Sequence, residues 1–202
     1  MERVAAYIDG FNLYYGVKAA FGRKYLWLDV EALCGSVLLP DQTLVAVKYF
    51  TARVRGPADS QARQSLYLDA LQAATSVQAI FGRLQLNKLT CNGCGASWTK
   101  PEEKKTDVAI ASHLVGDAYQ DVYDVALLIS GDSDMAPPVE MVTGIEGRRV
   151  VAAFPPRRKS DELKRLAGAS ISISEASLRQ SQLKPLIQLP SGLSLQRPPS
   201  WQ

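Results

Sequence analysis

The feature that most constrains the fold is an apolar run that stops abruptly at small and acidic residues. Residues 126–134 read Ala-Leu-Leu-Ile-Ser-Gly-Asp-Ser-Asp. The apolar part is typical of a strand that is buried on both faces of a parallel sheet. Asp132 and Asp134 then follow at the strand end, where open α/β sheets hold their ligands. Because two carboxylates this close repel each other, the motif predicts a site for a hard divalent cation.

A second strand, near the amino terminus, ends in the same way. The strand predicted for residues 3–8 begins at Arg3 and is apolar from Val4 onward, and Asp9, Gly10 and Asn12 follow it. Gly10 permits a tight turn, and we expect Asn12 to cap the helix that follows. The alternative interpretation is that the acidic residues are only turn residues and helix caps. Two equivalent strand ends and a third carboxylate favour the metal site.

The third carboxylate is Asp107, in the first turn of a helix predicted for residues 105–119. An Asp at this position also offsets the helix dipole and needs no other role. Lys104 and Lys105 stand just before it, and adjacent ammonium groups suit an anionic ligand at a helix amino terminus. Alternatively, both lysines are solvated residues near a helix start.

Composition restricts the class of protein. The chain has 202 residues, 47% of them hydrophobic and 21% charged, which fits one soluble domain with a sizeable core. It has no apolar stretch near the ~20 residues of a membrane span. The three cysteines and the absence of a secretory signal pattern predict a cytoplasmic protein. The net charge of +3 includes the predicted acidic site, so the remaining surface is more basic and suits a polyanionic partner.

Strand and helix patterns alternate along the chain. This alternation predicts an α/β fold, with a Rossmann-like, mostly parallel sheet that has helices on both faces. We expect one domain over residues 1–184, with an insertion near 82–104 that holds a short hairpin, and an irregular Pro-rich tail over 185–202. The predicted strands are 3–8, 43–51, 77–81, 125–130, 148–154 and 170–174, and the predicted helices are 12–20, 30–39, 58–75, 105–119, 134–144 and 160–168.

The insertion carries Cys91 and Cys94, which have the spacing of a zinc knuckle. A closed zinc site needs four ligands, and the motif supplies two. His113 is a further candidate ligand, whereas Cys34 lies in an apolar segment and is expected in the core. A zinc site within the chain, a degenerate knuckle and a site shared across a homodimer remain open.

Three motifs together resemble the NYN domain in its LabA-like (DUF88) branch, which is similar to the PIN and FLAP-type nucleases. The motifs are Tyr-Ile-Asp-Gly-Phe-Asn at 7–12, Glu-Lys-Lys-Thr-Asp-Val at 103–108 and Leu-Ile-Ser-Gly-Asp-Ser-Asp at 128–134. They stand in the order of the family, and the resemblance covers roughly residues 1–175.

The resemblance implies a PIN-like fold and metal-dependent hydrolysis of phosphodiester bonds, most often in RNA. It therefore indicates an endoribonuclease that uses Mg²⁺ or Mn²⁺. Residue by residue, it implies metal ligation and catalysis by Asp9, Asp107, Asp132 and Asp134, with Asn12 and Ser130 as the polar catalytic positions beside them.

Substrate contacts follow from charge and shape. Lys104, Lys105 and Lys100 are expected to hold phosphates, and Tyr14 or Tyr15 to stack on a base, with helix packing as the alternative role of the tyrosines. A catalytically silent RNA-binding or regulatory module that retains the acidic pocket is the alternative function. A phosphohydrolase of small phosphate esters is disfavoured, because Phe11 stands where a nucleophilic-Asp phosphatase usually has its second Asp.

Overall fold

The centre of the molecule is a six-stranded sheet in which every neighbouring pair of strands is parallel. The computed structural model describes residues 1–201, except the side chains of residues 84–88 and 100–103. The strands are β1 (Glu2–Asp9), β2 (Gln42–Thr51), β3 (Gln78–Phe81), β4 (Arg83–Thr90), β5 (Ser97–Lys104), β6 (Val125–Ile129), β7 (Arg149–Phe154), β8 (Ala169–Ser172), β9 (Leu186–Gln188) and β10 (Ser194–Gln196). The central sheet has the order β3-β2-β1-β6-β7-β8, which confirms the predicted α/β fold with a parallel sheet.

This strand order places β1 and β6 side by side, although more than 100 residues separate them in the chain. On one side of β1 the chain adds β2 and then β3. It then crosses back, so that β6 pairs with the other side of β1 and β7 and β8 follow in that direction. The position where the direction reverses is where doubly wound sheets leave a crevice at the carboxyl ends of the strands. Asp9 ends β1 at that crevice, and residues 130–134 follow β6 there.

Seven helices of the described chain cover both faces of the sheet. The helices are α1 (Gly10–Phe21), α2 (Val30–Gly35), α3 (Ala58–Ala74), α4 (Thr106–Tyr119), α5 (Ala136–Thr143), α6 (Asp161–Leu166) and α7 (Glu175–Gln180). One core holds residues of α1, α2, α3 and α7, and the other holds residues of α4, α5 and α6. In β1, Val4, Ala6 and Ile8 face the first core, and Ala5 and Tyr7 face the second. Because both faces are covered, the strand reads as a continuous apolar run.

Helix starts differ from the prediction where local polar contacts decide them. Helix α1 begins at Gly10, and its cap is Asp9, whose carboxylate accepts a hydrogen bond from the Asn12 backbone N–H at 2.9 Å. The prediction that Asn12 is the cap is therefore wrong. Helix α7 was not predicted, because it is a six-residue polar segment with only Leu178 in the core. Its start is defined by the Ser174 hydroxyl, which accepts from the Ser177 N–H at 3.1 Å.

The carboxyl-terminal segment is more regular than its composition suggests. Strands β9 and β10 pair as an antiparallel hairpin, so the prediction of an irregular segment is wrong over these residues. Trp201 is buried, and its ring packs against Trp27 and Tyr67 with centroid distances of 6.3 and 5.9 Å. Burial of this large aromatic side chain fixes the end of the segment to the core, although the segment is rich in proline.

The insertion forms an antiparallel hairpin that is longer than predicted. Strands β4 and β5 pair from Arg83 opposite Lys104 to Thr90 opposite Ser97. Cys91 and Cys94 lie in the connecting turn, and Cys34 is buried in the core as expected. Within the part of the chain that the structure describes, none of the helices has the length and hydrophobicity needed to cross a membrane.

Candidate active site at the carboxyl edge of the sheet

Three predicted carboxylates converge at the crevice between β1 and β6. One oxygen from each of Asp9, Asp107 and Asp132 lies within 4.8 Å of the oxygens of the other two. Asp9 comes from the end of β1, Asp107 from the first turn of α4, and Asp132 from the turn after β6. Three elements that are distant in sequence therefore contribute one negative charge each to a single small volume.

Asp9 is the most buried member of the cluster, with 6% of its surface exposed. One carboxylate oxygen accepts from the Asn12 N–H at 2.9 Å, and the other accepts from the Ser130 hydroxyl at 3.1 Å. Burial raises the pKa of Asp9 to about 6, and the charges of Asp107 and Asp132 act in the same direction. The two hydrogen bonds oppose this shift, because they stabilise the ionised form.

Ser130 and Asn12 connect the two strand ends. The Ser130 hydroxyl donates to Asp9 and accepts from the Asp132 N–H, both at 3.1 Å. The Asn12 side-chain oxygen accepts from the Gly131 N–H at 3.0 Å. Both residues predicted to stand beside the carboxylates thus hold the loop after β6 against the start of α1. Their contacts are those of positioning residues.

Asp134 lies beside the cluster. Its backbone N–H donates to the Asp132 side chain at 3.1 Å, but its carboxylate is exposed and is not among the three oxygens within 4.8 Å of one another. The pKa of Asp107 is raised, first by partial burial and then by the charges of Asp132 and Asp134. Asp134 therefore acts on the cluster electrostatically, and its role as a metal ligand stays a prediction.

The predicted substrate-binding residues lie at two places around the cluster. Lys104 ends β5, and Lys105 follows with a left-handed backbone (φ 75°) immediately before α4; both are exposed. The side chain of Lys100 lies outside the described residues. Tyr14 is half-buried on α1 and meets the Tyr15 ring edge-on at 5.2 Å. Its packing role is therefore present, and base stacking stays a prediction.

The described side chains do not assemble a zinc site around Cys91 and Cys94, since no third Cys, His or acidic ligand among them joins the pair. His113, the further candidate, instead contacts the Lys48 ammonium at 3.2 Å and the Phe50 ring. The pKa of Cys91 is lowered because the backbone N–H groups of Cys94 and Gly93 donate to its sulfur. The zinc interpretation stays a prediction.

The structure also brings a basic loop to the site, which the sequence analysis missed. Arg157, Arg158 and Lys159 follow β7 at the same edge of the sheet, and all three are exposed. A Cβ atom on Gly131 would lie 2.8 Å from the Arg158 carbonyl carbon, so the loop packs directly on the turn that carries Asp132. No carboxylate among the described side chains pairs with the three cations. Three consecutive basic residues, two prolines after the end of a strand, were the available signal.

The donor set fits a hard divalent cation. Three carboxylates without His or Cys are the ligand type that Mg²⁺ and Mn²⁺ prefer. The pKa values of Asp9 and Asp107 are raised first by burial and then by the neighbouring carboxylates, so a bound countercharge would favour the ionised cluster. A cation bound there would relieve the repulsion, and the basic loop could hold an anionic ligand next to it.

Comparison with known proteins agrees with this geometry. The chain is 28% identical to 6-hydroxy-3-succinoylpyridine 3-monooxygenase HspA of Pseudomonas putida, in a match that covers 76% of this chain and 59% of that protein. A crystal structure of a Vibrio parahaemolyticus protein of unknown function shares the fold, with a TM-score of 0.53, 19% identity, and coverage of 86% of this chain and 94% of that chain. The model of the NYN domain matches residues 3–174. The chain therefore belongs to the NYN domain family.

Proposed function

We propose that this protein is a metal-dependent endoribonuclease. The observation that carries the proposal is the convergence of Asp9, Asp107 and Asp132 at the crevice of a nuclease-type domain. In this proposal the three carboxylates would hold Mg²⁺ or Mn²⁺, with Asp134 as a further ligand. We also assign the chain to the LabA-like (DUF88) branch, and we propose that it acts in the cytoplasm, where a homodimer is one candidate assembly.

Each group of residues has a defined role in this proposal. The bound ion would stabilise the charge that develops on the phosphoryl oxygens and would activate water. The Asn12 N–H and the Ser130 hydroxyl hold the Asp9 carboxylate in one orientation, with one of its oxygens within 4.8 Å of oxygens of Asp107 and Asp132. The basic loop and Lys105 would hold the phosphates on either side of the scissile bond.

A catalytically silent RNA-binding module is the alternative, because the same acidic and basic groups would serve binding without turnover. The monooxygenase activity in the name of the Pseudomonas relative belongs to a protein of which this chain spans 59%. The acidic cluster favours hydrolysis over that activity for this chain, because carboxylates are typical ligands of the hard cations that activate water.

The test is a cleavage assay on 5′-labelled single-stranded and hairpin RNAs and on DNAs of the same sequences, with Mn²⁺, Mg²⁺ or a chelator. We expect internal cuts in RNA that need metal and that disappear in Asp9→Asn and Asp132→Asn. Asp69→Asn, an exposed substitution on α3 outside the cluster, is the matched control and should cut like the wild type. RNA that binds tightly but is not cut with either metal would establish the silent module instead.

A further inference from the structure

An aromatic cavity of about 280 Å³ lies beside the acidic site, between α1 and α3. Tyr14 and Tyr15 of α1, Tyr49 of β2, Tyr67 of α3 and Trp201 all line it. The volume is close to the lower limit of the roughly 300–1,000 Å³ of small-molecule sites. A space of this size with aromatic walls fits one planar ring system and excludes a helix or a duplex.

All the charged side chains that line the cavity are basic. Lys18, Arg55 and Arg63 line the cavity, and no Asp or Glu does. Arg63 donates to the Ser60 hydroxyl at 3.2 Å, and Lys18 lies over the Tyr14 ring at 5.6 Å. Among the described side chains, no carboxylate forms an ion pair with any of the three. The occupant is therefore expected to be a planar ring with an anionic group attached to it.

The position of the cavity relates it to the acidic cluster. Gly10 and Phe11 line the cavity and directly follow Asp9 in the chain. Thr51, also in the lining, ends β2, and the residue before it pairs with Asp9 across the sheet. The cavity thus reaches the same edge of the sheet as the three carboxylates.

We propose that this cavity binds one unpaired nucleobase of the substrate strand, with the adjoining phosphate held by Arg55 and Arg63. The inference rests on the proposed nuclease function and adds a subsite that selects single-stranded substrate. The aromatic walls supply stacking surfaces that every base can use, and the two guanidinium groups supply the phosphate contacts. A duplex cannot deliver a base to such a cavity without unpairing it.

The direct test measures binding of nucleoside 5′-monophosphates to the intact chain in chelator, so that the acidic cluster contributes no metal. Quenching of protein fluorescence and calorimetry would report the affinity. We expect binding of the monophosphates to be stronger than that of the matching nucleosides. Arg55→Gln combined with Arg63→Gln should weaken it by about tenfold or more, and Tyr14→Ala by about 5- to 100-fold. Arg53→Gln is the matched control, because Arg53 is exposed, is two residues from Arg55 and does not line this cavity.

The outcomes separate the subsite from the catalytic proposal. Monophosphate binding that is lost in the Arg55 and Arg63 variant but kept in Asp132→Asn supports the subsite, even if no RNA is ever cut. The contrary result is metal-dependent cleavage with the same KM and the same cut sites in the wild type, in Tyr14→Ala and in the double Arg variant. That result would overturn the subsite and leave the nuclease proposal standing. Nicotinate is the remaining probe, and its binding in place of the monophosphates would identify the cavity as a site for small aromatic acids and overturn the proposal.

Discussion

At the scale of single residues, Asp9 has two roles that oppose each other. Its carboxylate caps α1 and accepts the Ser130 hydroxyl, which favours the ionised form. Burial and two neighbouring carboxylates favour the protonated form, and together they outweigh the hydrogen bonds. Asp9 therefore stabilises the start of α1, and its buried carboxylate can be ionised by a cation that binds beside it.

The raised pKa of Asp9 predicts how the stability of the metal-free protein depends on pH. Since the pKa rises from the ordinary 3.8 to about 6, the folded protein keeps a proton that the unfolded chain loses between these values. The free energy of unfolding should therefore lose about 2–3 kcal/mol as pH rises from 4 to 6.5. Carboxylates with lowered pKa values, such as Asp124, contribute the opposite slope at more acidic pH.

Asp9→Asn isolates this effect, because an amide oxygen can still cap α1 but carries no charge. Urea unfolding of both proteins in chelator at several pH values gives the difference directly. We expect the stability of the variant relative to the wild type to increase as pH rises from 4 to above 6. Parallel pH profiles of the two proteins would show that Asp9 ionises normally and that the burial argument is wrong.

Asp132→Asn tests the repulsion within the cluster. The substitution removes one charge but retains an oxygen that can accept the Asp134 N–H. Without metal, the melting temperature should stay the same or rise. The upward shift produced by millimolar Mg²⁺ or Mn²⁺ should shrink, because stabilisation by a ligand follows its affinity. Thermal melts with and without each ion measure both quantities, and a loss of apo stability with a full metal-induced shift would contradict the argument.

At the scale of elements, two basic segments flank the acidic cluster from different parts of the chain. One is Lys104 and Lys105, between β5 and α4, and the other is the loop 157–159 after β7. Both precede helices that pack on the same face of the sheet. A strand of nucleic acid bound at the cluster would thus have cations from two separate segments near the carboxylates.

Lys104→Ala combined with Lys105→Ala should weaken RNA binding at all sequences equally. Lysines that contact phosphate act as point charges, so the salt dependence should become shallower by about one unit per lost contact. Arg157→Gln combined with Lys159→Gln should do the same. Filter-binding isotherms at four salt concentrations would measure the slope.

Lys164→Ala combined with Arg165→Ala is the matched control for these variants. Both residues are exposed in the last turn of α6, which leads back toward the opposite edge of the sheet. The control should retain nearly the full affinity and slope. If a basic-segment variant behaves like this control, that segment takes no part in RNA binding.

At the scale of the whole molecule, the strand order determines where the site lies. The reversal between β1 and β6 opens one crevice in the sheet, and the carboxylates of both strand ends meet there. The carboxyl-terminal segment completes the same half of the molecule, since Trp201 and Ile187 belong to the core that α1 and α3 form against the sheet.

Trp201→Ala should destabilise the protein by about 3–5 kcal/mol, because removal of a buried aromatic side chain takes away its apolar contacts with the core. Trp98→Ala is the control, since Trp98 is 50% exposed in the hairpin and its loss should change stability by about 0.5 kcal/mol or less. Chemical denaturation of both variants measures the difference. Equal stability of the two variants would mean that the carboxyl-terminal segment is not part of the core.

The sequence by itself indicated the parallel sheet and four candidate acids, of which the structure brings Asp9, Asp107 and Asp132 together. Apolar runs that are buried on both faces have no polar positions, so β1 and β6 were recognisable, as was the abrupt end of each at an Asp. Parallel strands end at one edge, and this rule, together with the family pattern, predicted that Asp9 and Asp132 would meet. The short polar helix α7 and the hairpin near the carboxyl terminus carried no such periodic pattern and were missed.

Only the tertiary structure decided which groups surround the acids. Asn12 does not cap α1. Its side-chain oxygen instead accepts from the Gly131 N–H, which is 119 residues away in the chain. The raised pKa of Asp9, the contact of the 157–159 loop with Gly131, and the aromatic cavity likewise depend on segments that are far apart in the chain. Local patterns encode the period and the end of an element. Long-range contacts depend on how the elements pack, and this packing is expressed in no single stretch of sequence.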